Sequence, residues 1–221
     1  MPHRLLAVTL GLALVFLLWP GLDRVLMAPV YLGGNDFLLR GHALSHAYDA
    51  VRAVLFPAIG VGVIAAGIAA WARRPWPGLP ARRVAAMGAV LIGVVGGVQN
   101  LILKNGFGRP RPKNTEAFGG DLPYHPPLLP GGACPGNCSF VSGDVGFVFV
   151  VLALAFAVPE DRGAARRAAV AGILALGLLV AAERVLSGSH YPSDVLFAAL
   201  STSIAVVWLE RAWVRRTGGA A

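Results

Sequence analysis

Residues 84–103 read VAAMGAVLIGVVGGVQNLIL and contain no charged side chain. A run of about 20 mostly apolar residues is what an α-helix needs to cross the hydrocarbon core of a bilayer. Similar runs recur along the chain. The six candidate spans are Leu5–Leu22, Ala53–Ala72, Val84–Leu103, Val145–Pro159, Ala168–Ala182 and Val195–Leu209. Long, continuous runs favour helices over barrel strands. The sequence therefore predicts an all-α integral membrane protein with six transmembrane helices in one bundle, forming a single domain over residues 1–221.

The composition supports a membrane location. Of the 221 residues, 56% are hydrophobic and only 14% are charged, whereas roughly a quarter of the residues in a soluble domain are charged. This balance excludes a disordered tail. The net charge of +8 indicates orientation rather than a nucleic-acid partner, because basic residues of membrane proteins concentrate in cytoplasmic loops.

The distribution of arginines predicts that orientation. With six spans, both termini share one side of the membrane with the loops after the second and fourth spans, and this side carries more arginines than the other. By the positive-inside rule it is the cytoplasmic side. The loops after the first, third and fifth spans then face the outside of a bacterial inner membrane. The first span is expected to be an uncleaved anchor, because no small-x-small cleavage site follows it.

Polar residues flank the spans on the predicted outer side in three groups. These groups are Lys104 to Arg111-Pro112, Ser142-Gly143-Asp144, and Arg184 to His190 and Asp194. Cations neutralise the oxygens of a phosphate, and free N–H groups at the start of the fourth span add donors for an anion. His190 is a candidate nucleophile, and Asp194 is placed to hold its ring. The pattern predicts a phosphate site at the outer ends of helices 3–6, without a metal or other cofactor.

The spacing of these residues adds a resemblance. Lys104-x6-Arg111-Pro112, Ser142-Gly143 and Arg184-x5-His190-x3-Asp194 resemble the three-part signature of the type 2 phosphatidic acid phosphatase superfamily, which includes six-helix membrane lipid phosphatases. The resemblance implies metal-independent hydrolysis of a lipid phosphate monoester or pyrophosphate that enters from the outer leaflet. It implies that His190 is phosphorylated and that Asp194 orients it. The residues that it implies bind phosphate are Lys104, Arg111, Ser142, Gly143 and Arg184.

Two positions depart from the family pattern. Asp144 stands where the family usually has the histidine that protonates the leaving group. Either Asp144 acts as the general acid in its place, or it only caps the fourth span. Glu183 stands where the family usually has serine, and we expect it to form an ion pair with Arg184. Despite these departures, residues 108–112 (GRPRP) and 138–144 (CSFVSGD) are similar to a bacterial branch that includes lipid A 4′-phosphatase-like enzymes.

The candidate substrates implied by the family are lipid A, undecaprenyl pyrophosphate, phosphatidylglycerophosphate and phosphatidate. Two other classes of function stay open. The departure at Asp144 allows a catalytically inactive relative that binds lipid phosphate. A small membrane transporter would carry charges along several spans, whereas here they collect at one end.

The loop after the third span contains Cys134 and Cys138. A disulfide is expected if this loop faces an oxidising compartment. A zinc site that includes His125 and a pair of free thiols are the alternatives. Elsewhere on the predicted outer side, Arg109 and Lys113 are interpreted as ordinary loop charge or as contacts for an acidic lipid headgroup. Residues 36–49 are expected to form a short amphipathic helix at the interface.

Overall fold

The computed structural model describes residues 2–72, 81–156, 158 and 160–215. The α-helices in this part of the chain are α1 (Pro2–Leu18), α2 (Leu22–Met27), α3 (Ala43–Trp71), α4 (Ala81–Ala89), α5 (Lys104–Phe107), α6 (Gly143–Val150), α7 (Leu152–Ala155), α8 (Gly163–Leu186) and α9 (Pro192–Leu209). A π-helical segment, Val90–Leu103, joins α4 to α5, and a second, Glu210–Arg215, continues α9. Single 3₁₀ turns lie at Ala28–Val30, Pro112–Asn114, Glu116–Phe118 and Glu160–Arg162.

Four helical stretches are long and apolar enough to cross a membrane. They are Ala43–Ala69, Val84–Asn114, Gly163–Leu186 and Pro192–Ala212, and they overlap the second, third, fifth and sixth predicted spans. A pair of helices bent by 93°, His3–Leu18 with Leu22–Val30, would count as a fifth. The described residues thus contain four or five candidate spans instead of the six predicted.

The first and fourth predicted spans differ from the structure for local reasons. The first was expected to run to Leu22, but α1 ends at Leu18, before Pro20 and Gly21, which disfavour continuation of a helix. The fourth is replaced by α6 and α7, which together reach only from Gly143 to Ala155. This is shorter than the roughly 20 residues of a full span. Pro159, the predicted end of that span, lies outside the described residues.

Helix α3 begins earlier than predicted. The separate amphipathic helix expected over residues 36–49 is wrong, because α3 starts at Ala43 and continues without a break to Trp71. At 29 residues, α3 is longer than a bilayer requires. Its first turns therefore extend beyond the apolar stretch, and they carry Tyr48, Asp49 and Arg52 to one end of the structure.

The all-α prediction is wrong in one detail, a two-stranded hairpin. Strands β1 (Tyr31–Gly33) and β2 (Asp36–Phe37) pair in antiparallel fashion, with Tyr31 opposite Phe37. The turn between them has positive φ at two glycines and at Asn35, a conformation that these residues tolerate. Phe37 is buried with Met27, Phe118 and Tyr191.

The hairpin also fixes the loop between α8 and α9. Leu39 donates a backbone hydrogen bond of 2.9 Å to the carbonyl of Leu186. Gly188 in that loop has φ +67°, and a Cβ atom there would lie 2.5 Å from the Phe37 ring. Only glycine fits both constraints, so the hairpin positions the segment that carries His190.

Helices α6 and α9 form the centre of the bundle. Val145 of α6 and Ala198 of α9 are fully buried, and Gln99 of the π-helical segment donates hydrogen bonds of 2.9 Å to Ser201 and Thr202. By contrast, Val54 of α3 and Leu178 of α8 are 72% and 70% exposed. Apolar surface of this extent indicates contact with lipid.

Candidate active site

The three groups of polar residues predicted from the sequence meet at one end of the helices. At this end α3 begins, α5 ends, α6 begins, α8 ends and α9 begins. Asp144 at the start of α6 lies near Arg184 at the end of α8 and accepts a hydrogen bond from Tyr48 of α3. His190 lies in the loop just before α9 and Asp194 in the first turn of α9, with 3.6 Å between Nδ1 of His190 and Oδ2 of Asp194.

His190 is buried, with 3% of its surface exposed. Its Nδ1 atom lies 2.8 Å from the carbonyl oxygen of Ser139. A carbonyl only accepts hydrogen bonds, so Nδ1 carries the proton and Nε2 keeps its lone pair. Burial lowers the pKa of His190 to about 4, and the charges of Arg111 and Lys104 act in the same direction. Near neutral pH the ring is therefore uncharged and Nε2 is able to attack an electrophile.

Asp194 is held from several sides at the start of α9. It accepts hydrogen bonds from the backbone N–H of Tyr191 at 2.8 Å and from the hydroxyl of Ser139. Its carboxylate also pairs with Arg109 at 2.6 Å. The Nδ1 atom of His190 lies closer to the Ser139 carbonyl than to Asp194. The predicted orienting role of Asp194 is thus shared with a backbone carbonyl that the sequence did not single out.

The interpretation of Arg109 as ordinary loop charge is wrong. Its side chain is fully buried, and it pairs with Asp23 at 2.8 Å and with Asp194 at 2.6 Å. It also donates a hydrogen bond of 2.8 Å to the Ser193 hydroxyl and lies 4.0 Å over the ring of Tyr191. Burial is tolerated because two carboxylates compensate the guanidinium charge. Arg109 thereby ties α2 to the start of α9.

Removal of the Arg109 charge is expected to destabilise the fold. The substitution Arg109→Met leaves Asp23 and Asp194 buried without their cation, which costs about 3–5 kcal/mol. Thermal or denaturant unfolding in detergent measures this loss. The control is Arg24→Met, because Arg24 is exposed and lies 4.8 Å over the Tyr124 ring, an interaction worth about 1 kcal/mol or less. Equal effects of the two substitutions would contradict a structural role for the buried pair.

Two of the predicted phosphate-binding cations, Lys104 and Arg111, lie near the histidine. Lys104 is 9% exposed and lies close enough to Arg111, Asp144 and Asp194 to interact with their charges. Arg184 pairs with Asp49 at 3.1 Å, and the ion pair expected between Glu183 and Arg184 is present. The charges of Lys104 and Arg111 thus act on the buried imidazole, and the charge of Arg184 acts on Arg111.

Ser142 and Gly143 begin α6. Ser142 is its N-cap residue and is fully buried, and its hydroxyl oxygen has no hydrogen-bond partner among the described residues. A Cβ atom at Gly143 would lie 2.6 Å from the side-chain oxygen of Asn100, so any larger residue here would require the Asn100 side chain to move. An unpaired buried hydroxyl at a helix N-terminus suits an anionic ligand.

Asp144 does not occupy the capping position considered for it, since Ser142 is the N-cap residue of α6. Its carboxylate instead lies 3.2 Å from the Tyr48 hydroxyl, 3.4 Å from Arg184 and 3.5 Å from Arg52. A carboxylate among these groups occupies the kind of environment that a phosphate oxygen would prefer.

The cysteines are joined by a disulfide between Cys134 and Cys138. The zinc and free-thiol alternatives differ from this arrangement. His125, the third ligand considered for zinc, hydrogen-bonds to the carbonyl of Leu129 at 2.8 Å. No group of three His, Cys, Asp or Glu residues able to hold a metal is found within the described ranges.

Several residues of the site were missed by sequence reasoning. They are Asp23, Tyr48, Asp49, Arg52, Arg109, Asn137 and Ser139. For the α3 residues a signal existed, because Tyr48, Asp49 and Arg52 have helical spacing and precede the second span on the predicted outer side. The buried state of Arg109 has no such signal, since its two partners come from distant parts of the chain.

Comparisons with known proteins agree with the motif spacing. Residues 84–218 match the model of the PAP2 superfamily. The chain is 40% identical over 119 residues to a lipid A 4′-phosphatase of Rhizobium leguminosarum. The aligned residues make up 54% of this chain and 49% of that protein. It is 41% identical over 118 residues to the lipid A 4′-phosphatase of Rhizobium etli, covering 53% and 44% of the two chains.

A third relative, the lipid A 4′-phosphatase of Francisella tularensis subsp. novicida, is 36% identical over 121 residues, or 54% of this chain and 52% of that protein. The chain spans about half the length of the curated relatives it matches. No solved structure matches it. Because the family model covers more than half of the chain and includes all three motifs, the chain belongs to the PAP2 superfamily.

Proposed function

We propose that this protein is a membrane lipid phosphatase that hydrolyses a phosphate monoester through a phosphohistidine at His190. The single observation that carries the proposal is a buried, neutral imidazole, with its proton on Nδ1, beside Lys104 and Arg111, and with Arg184 close enough to Arg111 to interact with its charge. A neutral nucleophile among cations suits attack on a phosphate dianion, because the cations stabilise the charge on the transferring group.

In the first step, Nε2 of His190 attacks the phosphorus atom as the bond from phosphorus to the ester oxygen breaks. The departing oxygen takes a proton from Asp144, which is left as a carboxylate. Lys104, Arg111 and Arg184 hold the non-bridging oxygens, and the Ser142 hydroxyl and the N–H groups at the start of α6 add donors.

In the second step, water attacks the phosphohistidine. Asp144 takes a proton from the water as the new bond from oxygen to phosphorus forms and the bond from phosphorus to Nε2 breaks. Inorganic phosphate leaves and His190 returns to its neutral form. Asp144 thus serves as acid in its protonated form and then as base in its ionised form, which restores every group at the end of one turnover.

A lipid A phosphate monoester is the first candidate substrate. The three relatives carry the name lipid A 4′-phosphatase and each match about half of this chain. Undecaprenyl pyrophosphate is the second candidate, and phosphatidylglycerophosphate and phosphatidate complete the set.

The test of this function is release of phosphate from the four lipids by the purified chain in detergent micelles. We expect release from lipid A, no dependence on added metal in the presence of EDTA, and loss of activity in His190→Ala. The control His46→Ala removes an exposed histidine on α3 and should retain activity. Absence of release from all four lipids would favour the inactive lipid-binding relative or a transporter.

We also propose that the site faces the periplasmic side of a bacterial inner membrane, with both termini in the cytoplasm. The arginine distribution and the disulfide support this orientation. A reporter fused after Ala221 is then expected to report the cytoplasm, and one inserted within residues 115–130 the periplasm. An external location of the C-terminal reporter would reverse the orientation and place the site on the inner face.

The pH profile tests the state of His190. The group must be neutral to attack, and burial lowers its pKa to about 4. After correction for ionisation of the substrate phosphate, kcat/KM is therefore expected to stay level as the pH falls from 7 to about 5 and to decline only near pH 4. A decline that already begins near the ordinary histidine pKa of about 6.5 would contradict a buried, neutral nucleophile.

A further inference from the structure

The disulfide loop, residues 134–138, lies against the chain segment that leads to Arg111. Cys134 donates a backbone hydrogen bond of 2.8 Å to the carbonyl of Gly108, and Ser139 donates one of 2.7 Å to the carbonyl of Arg109. A Cβ atom at Gly132 would lie 2.3 Å from the Gly108 carbonyl oxygen. The loop is therefore bonded closely to the segment that precedes a predicted phosphate-binding cation.

One residue of the loop holds the Arg111 side chain. The Nε atom of Arg111 donates to the Asn137 carbonyl at 3.1 Å, and Nη2 donates to the Asn137 side-chain oxygen at 2.9 Å. Asn137 has φ +46°, a left-handed conformation that asparagine tolerates. The contact made by the Asn137 carbonyl depends directly on this backbone geometry. Asn137 thus fixes the direction of the guanidinium.

The residue that follows the loop holds the histidine. Ser139 directly follows Cys138, and both residues are fully buried. Its carbonyl accepts the hydrogen bond from Nδ1 of His190 at 2.8 Å, and its hydroxyl donates to Asp194. The same short segment therefore contacts a cation at one end and the imidazole at the other.

We propose that the Cys134–Cys138 disulfide loop is a positioning device that sets Arg111 and His190 relative to each other, so that full activity requires the oxidised bond. Asn137 and Ser139 are its positioning residues. The bond closes a ring that includes Gly136, the most flexible residue type. Opening the ring returns conformational freedom to the residues that aim the guanidinium. The inference rests on the proposed function for its effect on turnover, but not for its effect on anion binding.

The test compares the oxidised and reduced full chain in detergent micelles. Calorimetric titration with orthovanadate measures anion affinity, and phosphate release from lipid A measures turnover. The chain has two cysteines in all, so a thiol reductant acts on the protein only through this bond, and the reductant is removed under anaerobic conditions before the titration because thiols reduce vanadate. Reduction is expected to weaken vanadate binding about tenfold, the loss expected when a charge-assisted hydrogen bond is no longer aimed. It is expected to lower kcat by about 10- to 100-fold, and reoxidation to restore both.

Two variants separate positioning from general stability. The double variant Cys134→Ser/Cys138→Ser is expected to show the weakened affinity without reductant and no further response to it. Asn137→Ala is expected to weaken vanadate binding by a similar factor with the disulfide intact. The control Asn114→Ala alters an exposed asparagine of the neighbouring 3₁₀ turn and should leave the affinity unchanged.

Three results would overturn the inference. The first is unchanged affinity and kcat after reduction. The second is a normal affinity in Asn137→Ala. The third is a smaller number of binding sites with an unchanged dissociation constant, which would indicate unfolding of part of the sample. Redox-dependent vanadate binding without any lipid hydrolysis would refute the proposed function and leave the positioning role in place.

Discussion

Replacement of His190 by glutamine is expected to lower kcat for lipid phosphate hydrolysis by about 10⁴-fold or more, because it removes the proposed nucleophile. An amide nitrogen has no basic lone pair, so the bond to phosphorus cannot form. The three cations proposed to hold the phosphate stay in place, and the dissociation constant of orthovanadate is therefore expected to change less than about tenfold. Phosphate release and vanadate titration on one preparation measure both quantities.

The matched control for this substitution is His46→Gln. His46 is exposed on α3, and its replacement is expected to leave kcat unchanged. A kcat for His190→Gln within tenfold of that of the unmodified chain would exclude His190 as the nucleophile.

Asp144→Asn is expected to lower kcat on the natural lipid by about 10²–10⁴-fold, because asparagine cannot supply the proton that the departing oxygen needs.

The choice of leaving group tests this role of Asp144. A nitrophenyl phosphate departs with little protonation, so the loss of kcat for Asp144→Asn should be much smaller with that substrate. Asp121→Asn alters an exposed loop carboxylate and serves as the control. Near-normal turnover of the natural lipid by Asp144→Asn would show that the proton comes from another group, with Glu183 or water as the next candidates.

Much of the helical architecture follows from the hydropathy of the sequence. The second, third, fifth and sixth predicted spans each overlap a helix that is long and apolar enough to cross a bilayer. Hydropathy measures apolar content, however, and not backbone continuity. It therefore missed the bend after Leu18 and the break between α6 and α7, as well as the hairpin, whose strands are only three and two residues long.

The candidate site is predictable where spacing along one segment carries the information. The interval from Arg184 through His190 to Asp194 fits one helix end, a loop and the next helix start, so these residues meet locally. The resemblance to the family is confirmed by the match over residues 84–218. Partners that come from distant segments are not predictable in this way. Asp23 is paired with Arg109 across 86 residues of sequence, and no local pattern marks either as buried.

The contacts of the histidine show the same limit. The sequence assigns the orientation of the ring to Asp194, which has a recognisable spacing. The closer partner is the carbonyl of Ser139. Every residue has a backbone carbonyl, so this contact cannot be predicted from the residue type. Asn137 is hidden for a similar reason, because its hold on Arg111 depends on a left-handed backbone inside a disulfide loop.

The central claim is a covalent phosphohistidine at His190, and rapid alkaline quenching during turnover of radiolabelled lipid phosphate tests it most directly. Phosphohistidine is stable to base and labile to acid, so digestion after the quench should place base-stable, acid-labile label on the peptide that contains His190. The label should be absent from His190→Gln. Normal turnover with no label on that peptide at any quench time, or label that persists in His190→Gln, would contradict the account.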